Sequence, residues 1–343
     1  MSQYLILSRV NIQKANCIAG FTWGFPAITH FAGFTHALQR KLSADFDIAF
    51  SGCAVVSHYY QAHVYKPTPR SNYEFIQSKN PAVLAKHKTH SSPPIIEEGK
   101  MNLTASIIVQ LSKELATTTE RIERFKQVVM EEALTNRLAG GSILSIDRVD
   151  LLSASTEEQT STLNRRIKRL TMPGFVLQDR SDYLMQHFEQ LKSDNPDAEL
   201  LGAWLDFSAR KFKAIPKLKD DDQEPSLETD AVWEFSPKPA KGWLVPIMVG
   251  YKAISEKYST DEVGDLRVSA ADTSVTDCCF VEAVHSVGEW KSMHRISDMN
   301  EIIWRYQHEN DWYLCAQAKE PSVKESVITE NEILSFEDAI ANL

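Results

Sequence analysis

Between positions 4 and 152, segments with strand-like spacing of apolar residues and segments with helix-like spacing follow one another along the chain. The order of these segments constrains the fold more than any other feature. Alternating, β-branched and aromatic residues predict strands over four segments, 4–13, 46–66, 101–111 and 142–152. Apolar residues three and four apart predict helices over 27–42 and 117–139. This order predicts an α+β fold with a ferredoxin-like (RNA-recognition-type) βαββαβ core, in which two helices cover one sheet face and leave the other open.

The chain divides into three segments by composition. Residues 1–153 form the predicted core, interrupted by a proline- and serine-rich loop at 67–98 that is expected to be mobile. Residues 154–232 are predicted to be a helical segment, with helices between 157 and 213 that include a basic helix, followed by an acidic linker. Residues 233–343 are predicted to be a C-terminal extension of mixed strands and helices that packs on the core.

The charge and the lack of certain motifs exclude several classes of function. The formal net charge is −9, which argues against a protein that coats nucleic acid non-specifically. No apolar run is long enough to cross a bilayer and the N-terminus lacks signal-peptide features, so we expect a cytoplasmic protein with no membrane contact. No phosphate-binding glycine motif occurs, and the five cysteines and ten histidines lack metal-ligand spacing, so we expect no cofactor and no metal.

The strongest electrostatic signal is the segment from Thr160 to Met172, which has four basic residues and no acidic one. In a helix, Arg165, Arg166 and Arg169 are three and four residues apart and share roughly one face. A solvated helix face usually mixes acids with its bases, so this segment favours an anion-binding site. Arginine can bind phosphate through two hydrogen bonds and can also stack on bases.

Three further positions carry groups suited to RNA. The first predicted strand has Arg9 and Asn11 on its polar face, which is either solvated or available to hydrogen-bond to a ligand. Trp23 lies in a loop with glycine, proline and other aromatic residues, which is typical of a binding loop held by a scaffold. Gly140 and Gly141 follow the second helix and form either a helix C-cap or a glycine-rich loop that lets an RNA backbone approach closely.

Histidines and tryptophans leave other roles open. His30 or His36 of the first helix could act with His58 of the second strand as general acid and base in metal-independent RNA cleavage. Packed or surface histidines are the commoner outcome. Trp243 and Trp290, each beside a glycine, are candidates for core packing or for stacking on a base. A third alternative is a protein–protein scaffold whose basic helix binds an acidic partner.

Five stretches of the sequence together resemble one protein family. In chain order they are FTWGFPAITHFAGFTHALQRKL, NRLAGGSIL, NRRIKRLTMPGF, GWLVPIMVGY and VGEWKSMHRI. They are similar to the family of second Csy proteins, the Cas-five-type subunits of type I-F CRISPR RNA-guided surveillance (Csy, or Cascade) complexes. The resemblance covers nearly the whole chain, and the 67–98 loop and the acidic linker match least well.

The resemblance implies a non-catalytic, RNA-binding subunit of an antiviral defence complex. Members of this family hold the 5′ handle of CRISPR RNA, pair with the large Csy subunit and contact the backbone Csy subunit, and the complex recognises target double-stranded DNA. From residue chemistry we expect the handle to contact eight residues, Arg9, Asn11, Trp23, Gly140, Gly141, Arg165, Arg166 and Arg169. The alternative function is that of a metal-independent endoribonuclease that processes CRISPR repeat RNA, a role that some Cas-five-type relatives have in other subtypes.

Overall fold

A computed structural model describes residues 2–79, 94–96, 98–115, 118–217, 229–259 and 278–318. Within these ranges the chain is a mixed α+β protein with a large antiparallel sheet and five α-helices, α1 (Ile28–Leu42), α2 (Thr119–Thr135), α3 (Glu157–Thr171), α4 (Ser181–Asp194) and α5 (Leu200–Ser208). The strands are β1 (Ser2–Asn16), β2 (Ile18–Ala19), β3 (Thr22–Trp23), β4 (Ala49–Ala62), β5 (Val64–Tyr65), β6 (Glu74–Phe75), β7 (Ser78–Lys79), β8 (Ile95–Ile96), β9 (Lys100–Lys113), β10 (Arg137–Leu138), β11 (Gly141–Ser145), β12 (Arg148–Ala154), β13 (Phe175–Asp179), β14 (Lys211–Pro216), β15 (Ala231–Ser236), β16 (Leu244–Ala253), β17 (Val281–Ser292), β18 (Trp304–Glu309) and β19 (Trp312–Gln317). Two short 3₁₀ helices, Met293–Arg295 and Met299–Ile302, follow β17. None of the described helices combines the length and the apolar character needed to cross a membrane.

Strand β1 lies in the centre of its part of the sheet, and for that reason it is apolar on both sides over its first half. It pairs with β9 on one edge and with β12 and then β11 on the other. Leu5 and Leu7 are buried in one core, while Tyr4 and Ile6 are buried in a second core on the opposite face. The predicted alternation of apolar and polar residues therefore holds only toward the C-terminal end of β1.

The strand order around β1 is β11–β1–β9–β4, and two helices cover one face of these strands. Helix α1 buries Phe31, Phe34 and Leu38 there, and α2 buries Phe125 and Val129. Strand β9 adds to this core the alternating set predicted from sequence, Met101, Leu103, Ala105, Ile107, Val109 and Leu111. The predicted α+β class is confirmed.

The opposite face of these strands is covered over half its length, which corrects the expectation of an open face. Leu163 and Ile167 of α3 are buried in one cluster with Tyr4 and Ile6 of β1. Residues of the two 3₁₀ helices complete this cluster. The face is open beside the C-terminal half of β1, where Asn11 is exposed.

The C-terminal strands extend the sheet beyond β4 in the antiparallel order β13–β17–β16–β19–β18. The path then returns to β4, because Trp304 of β18 pairs with Cys53. Trp304 is buried, and its indole Nε1 donates to the carbonyl oxygen of Leu177 in β13 at 3.0 Å. Trp304 of β18 thus connects three strands: its backbone pairs with β4, and its indole hydrogen-bonds to β13.

The sequence predicts helices over the segment 157–213, but this segment contains strand β13 (Phe175–Asp179), and its last helix ends at Ser208 rather than at residue 213. Strands β14 and β15 pair as a two-stranded hairpin in place of the last predicted helical residues. The acidic linker at 216–230 joins these two strands, and its residues 218–228 lie outside the described part of the chain. The three-segment division stays a prediction, and one sheet receives strands from all three segments.

Part of the 67–98 loop is described, and it forms short ladders. Strand β5 pairs with β6, and β7 pairs with β8. Residues 80–93 and residue 97 lie outside the described part of the chain, so the mobility expected for this loop stays a prediction.

Candidate nucleic-acid interface

Arg9 lies at a break in β1 that places it beside the end of α3. The pairing of β1 with β9 is irregular between Leu7 and Val10, and Arg9 has a φ of +50°. Its backbone N–H donates to Ser106 Oγ at 3.0 Å, and its guanidinium donates to the carbonyl oxygen of Met172 at 3.3 Å. The half-buried Arg9 side chain is therefore tethered to the residue that follows α3.

His58 completes a chain of hydrogen bonds next to Arg9. Its Nδ1 carries a proton, since it lies 2.7 Å from the carbonyl oxygen of Pro173, and its Nε2 accepts from Ser106 Oγ at 2.7 Å. Burial lowers the pKa of His58 and the charge of Arg9 lowers it further, whereas the hydrogen bond to Pro173 raises it. A neutral imidazole thus orients the Ser106 hydroxyl that accepts from the backbone of Arg9.

The stability of the protein should depend on pH through His58. The pKa of a histidine in an unfolded chain is about 6.5. The pKa of His58 in the folded protein is lower than this value. The unfolded state therefore binds the proton first, so the contribution of His58 to the unfolding free energy is complete above about pH 6.5 and falls as the pH falls below it. Urea unfolding at about pH 7.5 and about pH 5.5 should show a smaller acid-induced loss for His58→Gln than for the wild type.

The matched control for this pH experiment is His308→Gln, which replaces an exposed histidine. We expect it to keep the wild-type difference between the two pH values. If the unfolding free energy falls by the same amount in the wild type and in His58→Gln, the pKa of His58 in the folded protein is not below its pKa in the unfolded chain.

Asn11 lies on the open half of the sheet face among polar and aromatic neighbours. It pairs with Thr104 of β9 and with Ser145 of β11. Tyr59 of β4 pairs with Thr104 as well, and its ring is exposed. This surface offers hydrogen-bonding groups for base edges and a ring for stacking, the two contacts by which proteins recognise unpaired bases.

The predicted basic helix is α3, and its arginines Arg165, Arg166 and Arg169 are exposed; we call these three residues the basic arc. The buried side of α3 carries Leu163 and Ile167, and Arg165 and Arg169 point away from it. Arg166 lies at the edge of that side, where it lines a shallow cleft with residues 151–153 of β12. Among the described residues, the three arginines have no ion-pair or side-chain hydrogen-bond partner. Arg169 is also favoured by the helix dipole in the last turn, so Arg165 and Arg166 are the stronger indication of an anion site.

Gly140 and Gly141 lie at a tight β-hairpin turn, so the alternative of a helix C-cap is wrong. Helix α2 ends at Thr135, and β10 and β11 pair directly around Ala139 and Gly140, whose φ values are +49° and +72°. A Cβ on Gly141 would lie 2.7 Å from the carbonyl oxygen of Gln13, whereas a Cβ on Gly140 would meet nothing within 4 Å. Gly141 is therefore required for packing against β1, and Gly140 is open to an approaching chain.

Trp23 ends the small hairpin of β2 and β3 that follows β1. Its ring packs on Phe75 with 4.8 Å between ring centroids, and it is 39% exposed. Phe25 contacts Trp290 edge-to-face and packs on the core. Phe21 stacks on His285 but remains exposed. Trp23 and Phe21 are thus the rings of this loop that a ligand can reach.

A cavity of about 350 Å³ opens where β4 separates from β13. The ladder between the two strands covers only Val56 and Ser57, whereas β4 runs on to Ala62. The walls are mostly apolar and include six aromatic rings, those of Trp23, Phe25, Tyr60, Phe175, Trp243 and Trp290. We call this site the aromatic cavity. His58 also lines it, so the cavity adjoins the hydrogen-bonded chain that leads to Arg9.

The structure brings some of the predicted residues together and leaves others apart. Arg9, Asn11 and Gly140 lie on or beside the C-terminal half of β1, and Trp23 lies in the hairpin that follows it. The basic arc belongs to a helix that covers the other half and is tethered to Arg9 at its end. Sequence reasoning missed the role of Ser106, because its contact with Arg9 spans 97 residues and has no local signal.

The histidines of the enzymatic alternative have separate partners. His36 hydrogen-bonds to the hydroxyl of Tyr306 at 2.8 Å, and His58 is bound on both ring nitrogens. The Nδ1 atom of His30 is buried, and no described residue hydrogen-bonds to it. The described part of the chain also has no group of three or more side chains that could hold a metal.

Comparison with known proteins identifies the family. The family model described as CRISPR-associated protein (Cas_Csy2) matches residues 5–315. The chain is similar to CRISPR-associated protein Csy2 of Pseudomonas aeruginosa (strain UCBPP-PA14), with 33% identity over 316 residues, which cover 90% of this chain and 92% of the relative. The family resemblance indicated by the five sequence stretches is thereby confirmed, and the chain belongs to the Csy2 family of CRISPR-associated proteins.

Proposed function

We propose that this chain is a non-catalytic, cytoplasmic RNA-binding subunit of a type I-F CRISPR surveillance complex, in which it holds the 5′ handle of the CRISPR RNA. The observation that carries the proposal is the basic arc, an exposed set of arginines on a helix whose end is bonded to Arg9. Membership of the Csy2 family supports the CRISPR context.

The proposed RNA path follows the charges and the open sheet face. The basic arc and Arg9 bind phosphates, since guanidinium groups donate paired hydrogen bonds to phosphate oxygens. The bases lie over the open half of the face, where Asn11 hydrogen-bonds to base edges and the exposed ring of Tyr59 stacks. The open space at Gly140 admits the RNA backbone, and Trp23 lies at the far end of β1.

A ferredoxin-like core is part of this proposal. Strands β1, β4 and β9 with the pair β11 and β12 are the four strands of the βαββαβ unit, and α1 and α2 are its helices. The first and third of these strands, β1 and β9, are central neighbours, and both helices pack on one face. A split βαβ unit has this connectivity. The function still rests on the residues of the interface, because one fold hosts many functions.

The proposal also includes the large Csy subunit, the backbone Csy subunit and, through the complex, target double-stranded DNA. The hairpin of β14 and β15 supports a contact with protein, because three exposed apolar side chains, Phe212, Trp233 and Phe235, lie on one of its faces. Contiguous exposed apolar residues typically mark surfaces that are covered when a complex assembles.

One incubation separates this function from the endoribonuclease alternative. The full chain, purified with its co-expressed Csy subunits, is mixed with CRISPR repeat RNA in EDTA. We expect the RNA to be bound and this chain to contribute no cleavage, because His36 and His58 have separate hydrogen-bond partners. Site-specific cleavage that is lost in His30→Ala or His36→Ala would establish the enzyme instead. A complex without bound RNA would favour the scaffold.

A further inference from the structure

The aromatic cavity shares His58 with the hydrogen-bonded chain that leads to Arg9, but it has no part in the proposed RNA path so far. We propose that the aromatic cavity, whose walls lie mainly on the side of the sheet that α1 covers, binds one unpaired nucleobase of the bound RNA where the RNA passes His58 of β4. This inference rests on the proposed function. Three properties of the cavity carry this inference: its size, its lack of charged lining residues, and its link through His58 and Ser106 to Arg9.

The size and walls of the cavity suit one flat ring. Its volume of about 350 Å³ is near the lower end of the range of about 300–1,000 Å³ that is common for small-ligand sites. Phe175 and Trp243 meet edge-to-face with 5.3 Å between centroids, which holds the indole in place while Trp243 stays 50% exposed. Tyr60 is exposed as well. Any of the four bases can stack on such aromatic rings, because every base has a π-face.

The charge of the cavity distinguishes between possible occupants. Aspartate, glutamate, lysine and arginine are absent from the described residues that line it, and His58 is held neutral by burial. A charged side chain of a partner would lose its hydration there without gaining a counter-charge. A nucleobase is neutral, with apolar faces and a polar edge, and can enter such a site.

The position of the cavity adds a reason to prefer a nucleotide over an aliphatic side chain. His58 of the cavity wall is linked through Ser106 to the backbone N–H of Arg9, and the guanidinium of Arg9 is near enough to act on His58 as a positive charge outside the apolar walls. A nucleotide uses both features, since its phosphate binds the guanidinium while its base enters the cavity. An aliphatic side chain would fill the cavity and leave the charge of Arg9 unused.

The test combines abasic RNA with variants of the cavity. Repeat-derived RNAs, each with one abasic position in the 5′ segment, are bound to complexes that contain the wild-type chain or Trp243→Ala. In the wild type we expect one position at which loss of the base weakens binding by about 10-fold, the size of one base–aromatic stacking contact. In Trp243→Ala, and in Tyr60→Ala, that position should lose its sensitivity while the other positions keep theirs.

The matched control is Tyr73→Ala, which removes a tyrosine that, like Tyr60, is exposed (67%) but does not line the cavity. We expect the control to keep the wild-type pattern. If the wild-type complex binds RNA but no position depends on Trp243, the inference fails and the proposed function stands. If the wild-type complex binds no RNA, the proposed function itself fails. If Trp243→Ala releases a partner subunit and changes no abasic penalty, a protein side chain fills the cavity and the inference is overturned.

Discussion

Replacing Arg165 and Arg166 together with glutamate should weaken binding of the 5′ handle RNA on the order of 100-fold. A charge-assisted hydrogen bond from arginine to phosphate contributes about 1.5–3 kcal/mol, and glutamate at the same position adds repulsion. Both arginines are exposed, and no described residue forms an ion pair with either, so the substitutions break no ion pair that holds the fold. Fluorescence anisotropy of labelled handle RNA with the purified complex measures the change.

Salt dependence distinguishes lost phosphate contacts from other effects of these substitutions. Each contact with single-stranded nucleic acid contributes about 0.7 to the slope of log K against log salt, so we expect the slope to become shallower by roughly 1.4. The control, Arg40→Glu on α1 with Arg124→Glu on α2, makes the same change of charge on the other side of the sheet, and neither arginine has an ion pair with a described residue. If the control weakens binding as much, or if the α3 variant binds like the wild type, the basic arc is not the anion site.

Gly141→Ala should lower the unfolding free energy by about 3 kcal/mol, an effect at the upper end of those caused by overpacking. The added Cβ would lie 2.7 Å from the carbonyl oxygen of Gln13 and 2.8 Å from the backbone nitrogen of Ala15. These atoms belong to the central strand β1, which cannot shift without disturbing its pairing with β9 and β11. Urea unfolding of the full chain measures the loss.

The neighbouring glycine supplies the control for that prediction. Gly140→Ala places a side chain in open space, so only the positive φ of +72° opposes it, at a cost of about 1 kcal/mol. If Gly141 served only to admit RNA, Gly141→Ala would weaken RNA binding and leave the unfolding free energy unchanged. That result would contradict the packing role derived from the contacts with β1.

The local spacing of apolar residues correctly predicted which residues are buried in β9 and α1. Strand β9 and helix α1 bury the residues that their periodicity indicates, because each presents a complete apolar side to the same core. The spacing of apolar residues was less informative for β1, because both faces of this strand are buried there, Leu5 on one face and Tyr4 on the other. It failed at β14, where Lys211–Pro216 pairs with a strand on the other side of the acidic linker, and at Gly140, where a hairpin turn replaces a helix cap.

By itself, the sequence determined the order of the main strands and helices between residues 4 and 152, the basic arc and the family. Only the tertiary structure decided that α3 covers half of the expected open face, that Gly141 packs against β1, and that rings from Trp23 to Trp290 line one cavity. The physical reason is that periodicity reports which side of an element is buried but not what buries it. The contact between Arg9 and Met172 joins residues 163 positions apart, and such a contact exists only once the chain has folded.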